Sequence, residues 1–408
     1  MTAAAPHIFL GAFGQPGHAF PMLALGARLV ERGNRVSFET WSRWREPVEA
    51  AGMEFVAAPE YPVFPTLERP LQPFEAVVRA TPVTRAQLQA RRPDVVVHDI
   101  LTLAPALAGE LEGIPVATLI PHVHPAQERG FPPYAVGARL PRTRLGASLW
   151  SALAHPVEAG LRRGRDELND TRRRLGLPPV ERLHGGLSER LCLVGTFPQL
   201  EYPRSWPPHV HVVGPLLWEP PYPEVPLPAG RGPLVLIAPS TAQDPNQRLL
   251  RAALAGLAGG GPRPRSHSPI RVLATTNRRP LRRPARIGRD AILVDWLPYA
   301  RTMPHASLVV CHAGHGTMAR ALASGVPVLA VPHVGDMAEN AARLDWSGAG
   351  VRLPWRLLSP ATLRLAARRA LAPTAPYAAR AAELASWCGR HDAATRAAEL
   401  VERLARGT

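Results

Sequence analysis

Two histidine-bearing loops and one aspartate stand where side chains could do chemistry. His18 closes the loop GAFGQPGHAFP, whose glycines let backbone amides approach a ligand or turn tightly, ahead of a helix expected to start at Pro21. An imidazole there can take a proton from a substrate, or it can be structural. The glycines are spaced G-x-x-G-x-x-G and not G-x-G-x-x-G, which disfavours a nicotinamide dinucleotide, although Glu39 at the end of the next predicted strand keeps that reading open. Asp99 ends DVVVHD, at the carboxyl end of another predicted strand. A carboxylate in that position can fix a histidine tautomer and stabilise the imidazolium formed on proton uptake, or simply cap the next helix.

The second loop is CHAGHGT, residues 311 to 317, between the apolar run SLVV and the helical pattern TMARALASG. Gly314 and Gly316 free the backbone to wrap an anion, Thr317 can cap the helix, and the helix amino terminus suits a diphosphate. His312 can donate to a phosphate oxygen without a permanent charge. Two histidines three residues apart could ligate a metal, but no third ligand stands at a typical spacing, so phosphate is the preferred occupant. Upstream, Trp296 in VDWLPYARTMPHAS can stack on a flat base or lie in the core. In HVGDMAEN, Asp336, Glu339 and Asn340 share one helical face, suited to a hydroxylated ring or to water.

Positioning these groups requires alternating strands and helices. HIFL, the glycine loop, PMLALGARLVERG and RVSFE read as strand, loop, helix and strand, one βαβ unit. DVVVHD, the alanine-rich stretch 103 to 112, IPVATLI, the charged helix 162 to 177, LCLVGTF and HVHVVGP continue the pattern as a mostly parallel sheet. PLLWEPPYPEVPLPAGRGP, residues 215 to 233, is too rich in proline for a helix or central strand and reads as an extended linker. The rhythm restarts with LVLIAPS, QRLLRAALAGLAG, IRVLATT and AILVDWL, and residues 377 to 405 read as a long helical stretch. Ligands of such sheets sit at the carboxyl ends of the strands, so two facing halves place a cleft between them.

At roughly 100 to 200 residues per domain, 408 residues suit two domains with their own cores. Three distant cysteines and no CxxC pair exclude a disulfide framework and a cysteine-rich zinc site, and imply reduced thiols in a cytoplasm. The glycine- and proline-broken amino terminus does not read as a signal peptide, and no run of eighteen apolar residues suggests a membrane span. The net charge of +16 comes from 48 basic residues that are all arginine. That total absence of lysine points to compositional bias more than to a nucleic-acid surface. Arg162 to Arg174 alternate with Asp166, Glu167 and Asp170 as on a charge-paired surface helix, whereas the cluster Arg278 to Arg289 could draw a charged nucleotide to the cleft.

Together these stretches resemble the nucleotide-sugar-dependent glycosyltransferases of the GT-B fold, in the branch of plant UDP-glycosyltransferases and of actinomycete enzymes that decorate macrolides, angucyclines and enediynes. The resemblance covers nearly the whole chain. Its most specific block runs from WLPYARTMPHASLVVCHAGHGT to GVPVLAVPHVGDMAENAARL, while APSTAQDPNQRLLRAAL looks most like antibiotic-modifying members of the calicheamicin type. It implies an α/β fold of two facing Rossmann-like domains. Residues 1–214 would bind acceptor, 215–233 link, 234–384 bind the nucleotide sugar, and 385–408 form a helix returning to the first domain.

The resemblance also implies roles. His18 would be the general base and Asp99 its orienting partner. Trp296 would stack on the base beside the backbone of Leu297. His312, Gly314, Gly316 and Thr317 would hold the diphosphate, and Ser240 and Thr241 would lie near the diphosphate or the sugar. Where most relatives have Asp-Gln against a hexose, this chain has Asp336 and Met337, and a thioether cannot bond as an amide does, which suggests a deoxysugar.

The expected activity is metal-independent, inverting transfer from a dTDP- or UDP-sugar, as co-substrate without other cofactor, to a small hydrophobic polyketide-like acceptor, on oxygen or on carbon. The setting would be antibiotic biosynthesis in the cytoplasm, with no specific nucleic-acid partner, and a homodimer is compatible with it. Acceptor loops are expected in residues 57 to 74 and 122 to 134. A partner protein that binds sugar nucleotide without catalysis is the first rival, disfavoured because both His18 and Asp99 are present, and a nicotinamide oxidoreductase is the second.

Overall fold

The computed structural model describes residues 5–59, 73–126, 128–240, 244–258, 270–278, 290–333 and 335–407. Seven strands form the first sheet: β1 (His7–Gly11), β2 (Arg35–Thr40), β3 (Glu54–Ala57), β4 (Val95–Asp99), β5 (Val116–Ile120), β6 (Cys192–Val194) and β7 (Val210–Val212), in the order β3-β2-β1-β4-β5-β6-β7. Six form the second: β8 (Leu234–Ala238), β9 (Arg271–Thr275), β10 (Ala291–Val294), β11 (Leu308–Cys311), β12 (Val328–Ala330) and β13 (Gly350–Arg352), in the order β10-β9-β8-β11-β12-β13. Every described pairing is parallel. β1, β4, β8 and β11 are buried along their whole length, which is why they read as continuous apolar runs instead of alternating ones.

Strand order matters most for the site. In each sheet the order reverses once, between β1 and β4 and between β8 and β11. Side chains just past the carboxyl ends of those four strands face a crevice. The register pairs Gly11 with His98 and Ala238 with Cys311, so the loops bearing His18, Asp99, Ser240 and His312 leave their sheets side by side.

Several helix boundaries differ from the sequence expectation, among them the charged helix, which starts at Ala154 and not at 162. The first helix spans Pro16–Glu31 and does not wait for Pro21, so His18 sits in its first turn. Pro16, just after the cap residue Gln15, has the fixed φ and the missing donor that suit a helix start, and the His18 and Ala19 amides already donate to the Gln15 carbonyl at 2.9 Å. The stretch 377 to 405 is two helices, Tyr377–Arg390 and Ala393–Arg406, because His391 turns extended and Asp392 caps the second by accepting from the Thr395 amide at 3.0 Å. Ala381 and Leu384 of the former pack into the second sheet's core, whereas Ala397, Ala398 and Val401 of the latter join the core of the first. Buried Glu402 fastens that return, accepting from Arg32 at 2.9 Å and Asn34 at 2.7 Å.

The charged helix spans Ala154–Arg174 and carries paired charges as its sequence suggests, including Arg162 with Glu158 and Arg163 with Glu167. Arg172 departs from the solvated pattern: it is buried and clamps Glu110 through both terminal nitrogens. Among the described residues no helix is long and apolar enough to cross a membrane.

Candidate active site

The cleft between the two sheets is lined from one side by His18, Phe20, Leu101 and His122, and from the other by Ser240, Trp296, His312, Thr317 and Asp336. His18 and Asp99, 81 residues apart, meet here, and the imidazole Nδ1–H donates to the Asp99 carboxylate at 2.7 Å. Asp99 is 1% exposed and its other oxygen accepts from the Leu101 amide and the Thr102 hydroxyl, each at 3.3 Å. This carboxylate fixes the His18 tautomer, leaving Nε2 as the lone-pair nitrogen, and braces the turn before the next helix without capping it, since the cap residue there is Thr102. Burial disfavours the imidazolium, but the charge and hydrogen bond of Asp99, with Asp336 behind them, outweigh it and hold the His18 pKa above the ordinary 6.5.

The glycine loop works through packing. A Cβ on Gly14 would lie 2.1 Å from Trp41, so this glycine admits the indole that supports Phe13, whose ring meets His18 edge-on at 6.2 Å between centroids.

On the opposite wall the turn after β11 is built tightly. A Cβ on Gly314 would lie 2.3 Å from His312 Nε2, so only glycine leaves room for that ring. Between them Ala313 is in the left-handed region at φ 68°, and its carbonyl accepts from the Asn340 side chain at 3.1 Å. Gly314 is the cap residue of the His315–Ala323 helix, without a side-chain cap. Thr317 is therefore a first-turn residue facing the cleft and not the cap its sequence suggested. Gly316 also lines the cleft, where a Cβ would meet open space. Burial keeps the His312 pKa low, so the ring is neutral, and its buried Nδ1 has no partner among the described residues. His315 points away from this turn to the first domain, where Nε2 meets the Thr196 hydroxyl at 2.9 Å, and burial lowers its pKa to about 3.

Trp296 lines the cleft just past β10, with its buried indole nitrogen unpartnered among the described residues. Tyr222 of the proline-rich segment stands 5.3 Å from its ring, and the Arg278 guanidinium lies 5.0 Å from the same ring. Arg278 is thus a cation–π partner of the aromatic wall, and residues 279–289 of the expected arginine cluster lie outside the described residues. Leu297 has its side chain in the core, leaving its backbone beside the tryptophan. Ser240, 7% exposed, lines the cleft, whereas Thr241 lies outside the described residues. Glu219, in the same proline-rich segment, accepts from the Tyr299 and Ala300 amides at 2.8 and 2.7 Å and so fixes the turn that follows Trp296.

Of the helical face Asp336, Glu339, Asn340, only Asp336 reaches the cleft. Glu339 and Asn340 are 2% and 0% exposed, turned into the protein toward Arg343 and the Ala313 carbonyl. Met337 lies in the second core with one edge on the cleft. His122, legible in the sequence only as part of a candidate acceptor loop, is a second imidazole on the His18 side of the cleft. Residues 60–72 of the other candidate loop lie outside the described residues.

Residues 271–405 match the family model described as Erythromycin biosynthesis protein CIII-like, C-terminal domain. The chain is 30% identical to 4'-demethylrebeccamycin synthase of Lentzea aerocolonigenes, over 95% of this chain and 97% of the relative. The solved calicheamicin glycosyltransferase CalG4 superposes with a TM-score of 0.73 at 24% identity, covering 98% of both chains. Glycosyltransferase VinC in complex with dTDP superposes with a TM-score of 0.66 at 18% identity, covering 98% of this chain and 100% of the other. Two facing parallel sheets joined in this way are the GT-B architecture.

Proposed function

The chain belongs to the glycosyltransferases of natural-product biosynthesis, and from that premise we propose inverting transfer of a sugar from a dTDP- or UDP-linked donor to a hydroxyl of an apolar, polyketide-like acceptor. The observation that carries this reading is the His18–Asp99 pair at 2.7 Å, set across one cleft from the His312 turn. The acceptor oxygen bonds to the anomeric carbon as the bond from that carbon to the diphosphate breaks. His18 Nε2 takes the hydroxyl proton, Asp99 stabilises the resulting imidazolium, and the nucleotide diphosphate leaves with the electron pair. First-turn amides of the His315–Ala323 helix and the neutral His312 ring stabilise the departing charge with fixed dipoles, so this reading assigns no metal to the step.

Trp296 offers its ring to the base, and the dTDP bound by VinC favours thymine. Phe20, Leu101, Leu216 and Trp218 give the acceptor side of the cleft its apolar surface. The thioether of Met337 favours a donor sugar with fewer hydroxyls. With an aromatic polyketide acceptor, a dTDP-deoxysugar is expected to be turned over at least about tenfold more efficiently than UDP-glucose. Equal efficiency would remove the deoxysugar assignment, and release of neither nucleotide from any donor would remove sugar transfer itself.

The His312 turn supplies a narrower test. Gly314→Ala must displace the His312 ring, and losing one hydrogen bond to a charged phosphate is expected to weaken dTDP binding about tenfold by calorimetry. Unaltered affinity would take His312 out of the diphosphate site.

A further inference from the structure

Two imidazoles, His18 and His122, line the cleft from the first sheet's side, and their hydrogen bonds make them different reagents. His18 donates from Nδ1 to a carboxylate. His122 has its Nδ1 2.8 Å from the Val123 carbonyl and 3.2 Å from the Tyr134 hydroxyl. A carbonyl oxygen only accepts, so the proton is on Nδ1 of His122 and Nε2 carries the lone pair. That nitrogen has no partner among the described residues and is not among the buried unpaired atoms, so it opens on the cleft that His122 lines. A carbonyl, unlike a carboxylate, has no charge with which to hold an imidazolium. Burial, with repulsion from a protonated His18, lowers the His122 pKa against the pull of Asp336, the Val123 carbonyl and Asp99, which favours the neutral ring.

The stretch that follows His122 is fastened to the second half of the protein, both at the helix that carries Asp336 and at β13. A Cβ on Gly137 would lie 2.8 Å from Cβ of Ala338, the Gly137 carbonyl accepts from Arg352, and Arg139 pairs with Asp345. His122 and its partner Tyr134 both feel the Asp336 charge across the cleft that His122, Asp336 and Met337 line together, so His122 stands near the end where the sugar of the donor lies in the reading proposed above.

We propose that His122 is a donor-specificity residue, whose Nε2 accepts a hydrogen bond from a hydroxyl of the transferred sugar beside Asp336. Met337 offers no such acceptor of comparable strength, so the sugar is read by a carboxylate and an imidazole lone pair on this wall. This inference rests on the assignment of the cleft to a nucleotide sugar.

Calorimetric titration of the protein with dTDP and with dTDP-glucose tests it, because dTDP has the same nucleoside and diphosphate but lacks the transferred sugar and its hydroxyls. His122→Phe is expected to weaken dTDP-glucose binding about fivefold to tenfold, the size of one hydrogen bond, and to leave dTDP affinity unchanged. His122→Gln, whose amide oxygen restores an acceptor, is expected to recover most of the loss. Equal affinity of His122→Phe and wild type for dTDP-glucose overturns the proposal, as does a parallel loss for dTDP, which marks a structural role. Absence of rescue by His122→Gln overturns it too. A wild-type protein that binds neither ligand overturns the donor reading and this inference with it, an outcome distinct from binding that is indifferent to residue 122.

Discussion

His18→Ala is expected to lower turnover at least about 100-fold, the scale of losing a positioned general base, while dTDP binding measured by calorimetry survives. Survival is expected because the residues assigned to base and diphosphate, Trp296, His312 and Thr317, belong to the other wall of the cleft. The pH dependence gives the same assignment independently. Only neutral His18 can accept the proton, and its pKa lies above 6.5, so kcat/KM should fall as pH drops through a value higher than an ordinary histidine's. Asp99→Asn removes the charge that raises this pKa and leaves the burial that lowers it. The acid limb should then shift to lower pH, with a lower plateau because the imidazolium has lost its counter-charge. Turnover unchanged in His18→Ala would falsify the base assignment.

Arg343→Ala is expected to lower unfolding free energy by roughly 3 to 5 kcal/mol, the cost of leaving buried charge without its partner. Arg343 and Glu201 are each 3% exposed, and the guanidinium donates to Glu339 at 2.7 Å and to Glu201 at 3.2 Å. Its carbon also lies 3.4 Å from the Tyr202 ring centroid. Glu201 accepts from the His124 amide at 2.6 Å, and burial raises its pKa despite Arg343. The alanine variant leaves Glu339 without its cation and Glu201 with only the longer 4.0 Å contact to buried Arg204, two carboxylates near each other in low dielectric.

The consequence is mechanical as well as energetic. Leu200 to Arg204 follow the first sheet's strand β6, whereas Glu339 and Arg343 lie on the Asp336–Ser347 helix of the second half. Chemical denaturation followed by circular dichroism should show the loss, and an accompanying Glu201→Gln, Glu339→Gln background should recover part of it by removing the stranded charges. A stability within about 1 kcal/mol of wild type would show that water reaches the cluster.

The elements themselves were legible because their signals are local. Buried parallel strands are short apolar runs, and glycine and proline punctuate them, so HIFL, DVVVHD and SLVV could be assigned to within one residue at each end. The CHAGHGT turn was legible for the same reason, since glycines beside a histidine at a helix start constrain the backbone within seven residues. Strand position alone left the His18–Asp99 pairing open beside a capping role, and the resemblance then assigned it, the two meeting across 81 residues.

What depends on the facing surface was not legible. Asp336, Glu339 and Asn340 form one helical face by periodicity, yet Arg343 and the Ala313 carbonyl draw two of them inward and leave one for the cleft. The stretch 377 to 405 has helical character throughout, but it must touch two separate cores and breaks at His391 to do so. Sequence by itself determined the parallel α/β halves, the two glycine-bearing turns and the family. Only the tertiary structure decided which imidazole stands against a carboxylate and which against a carbonyl, because a hydrogen-bond partner is set by strand order and packing and not by the residue's own neighbours in the chain.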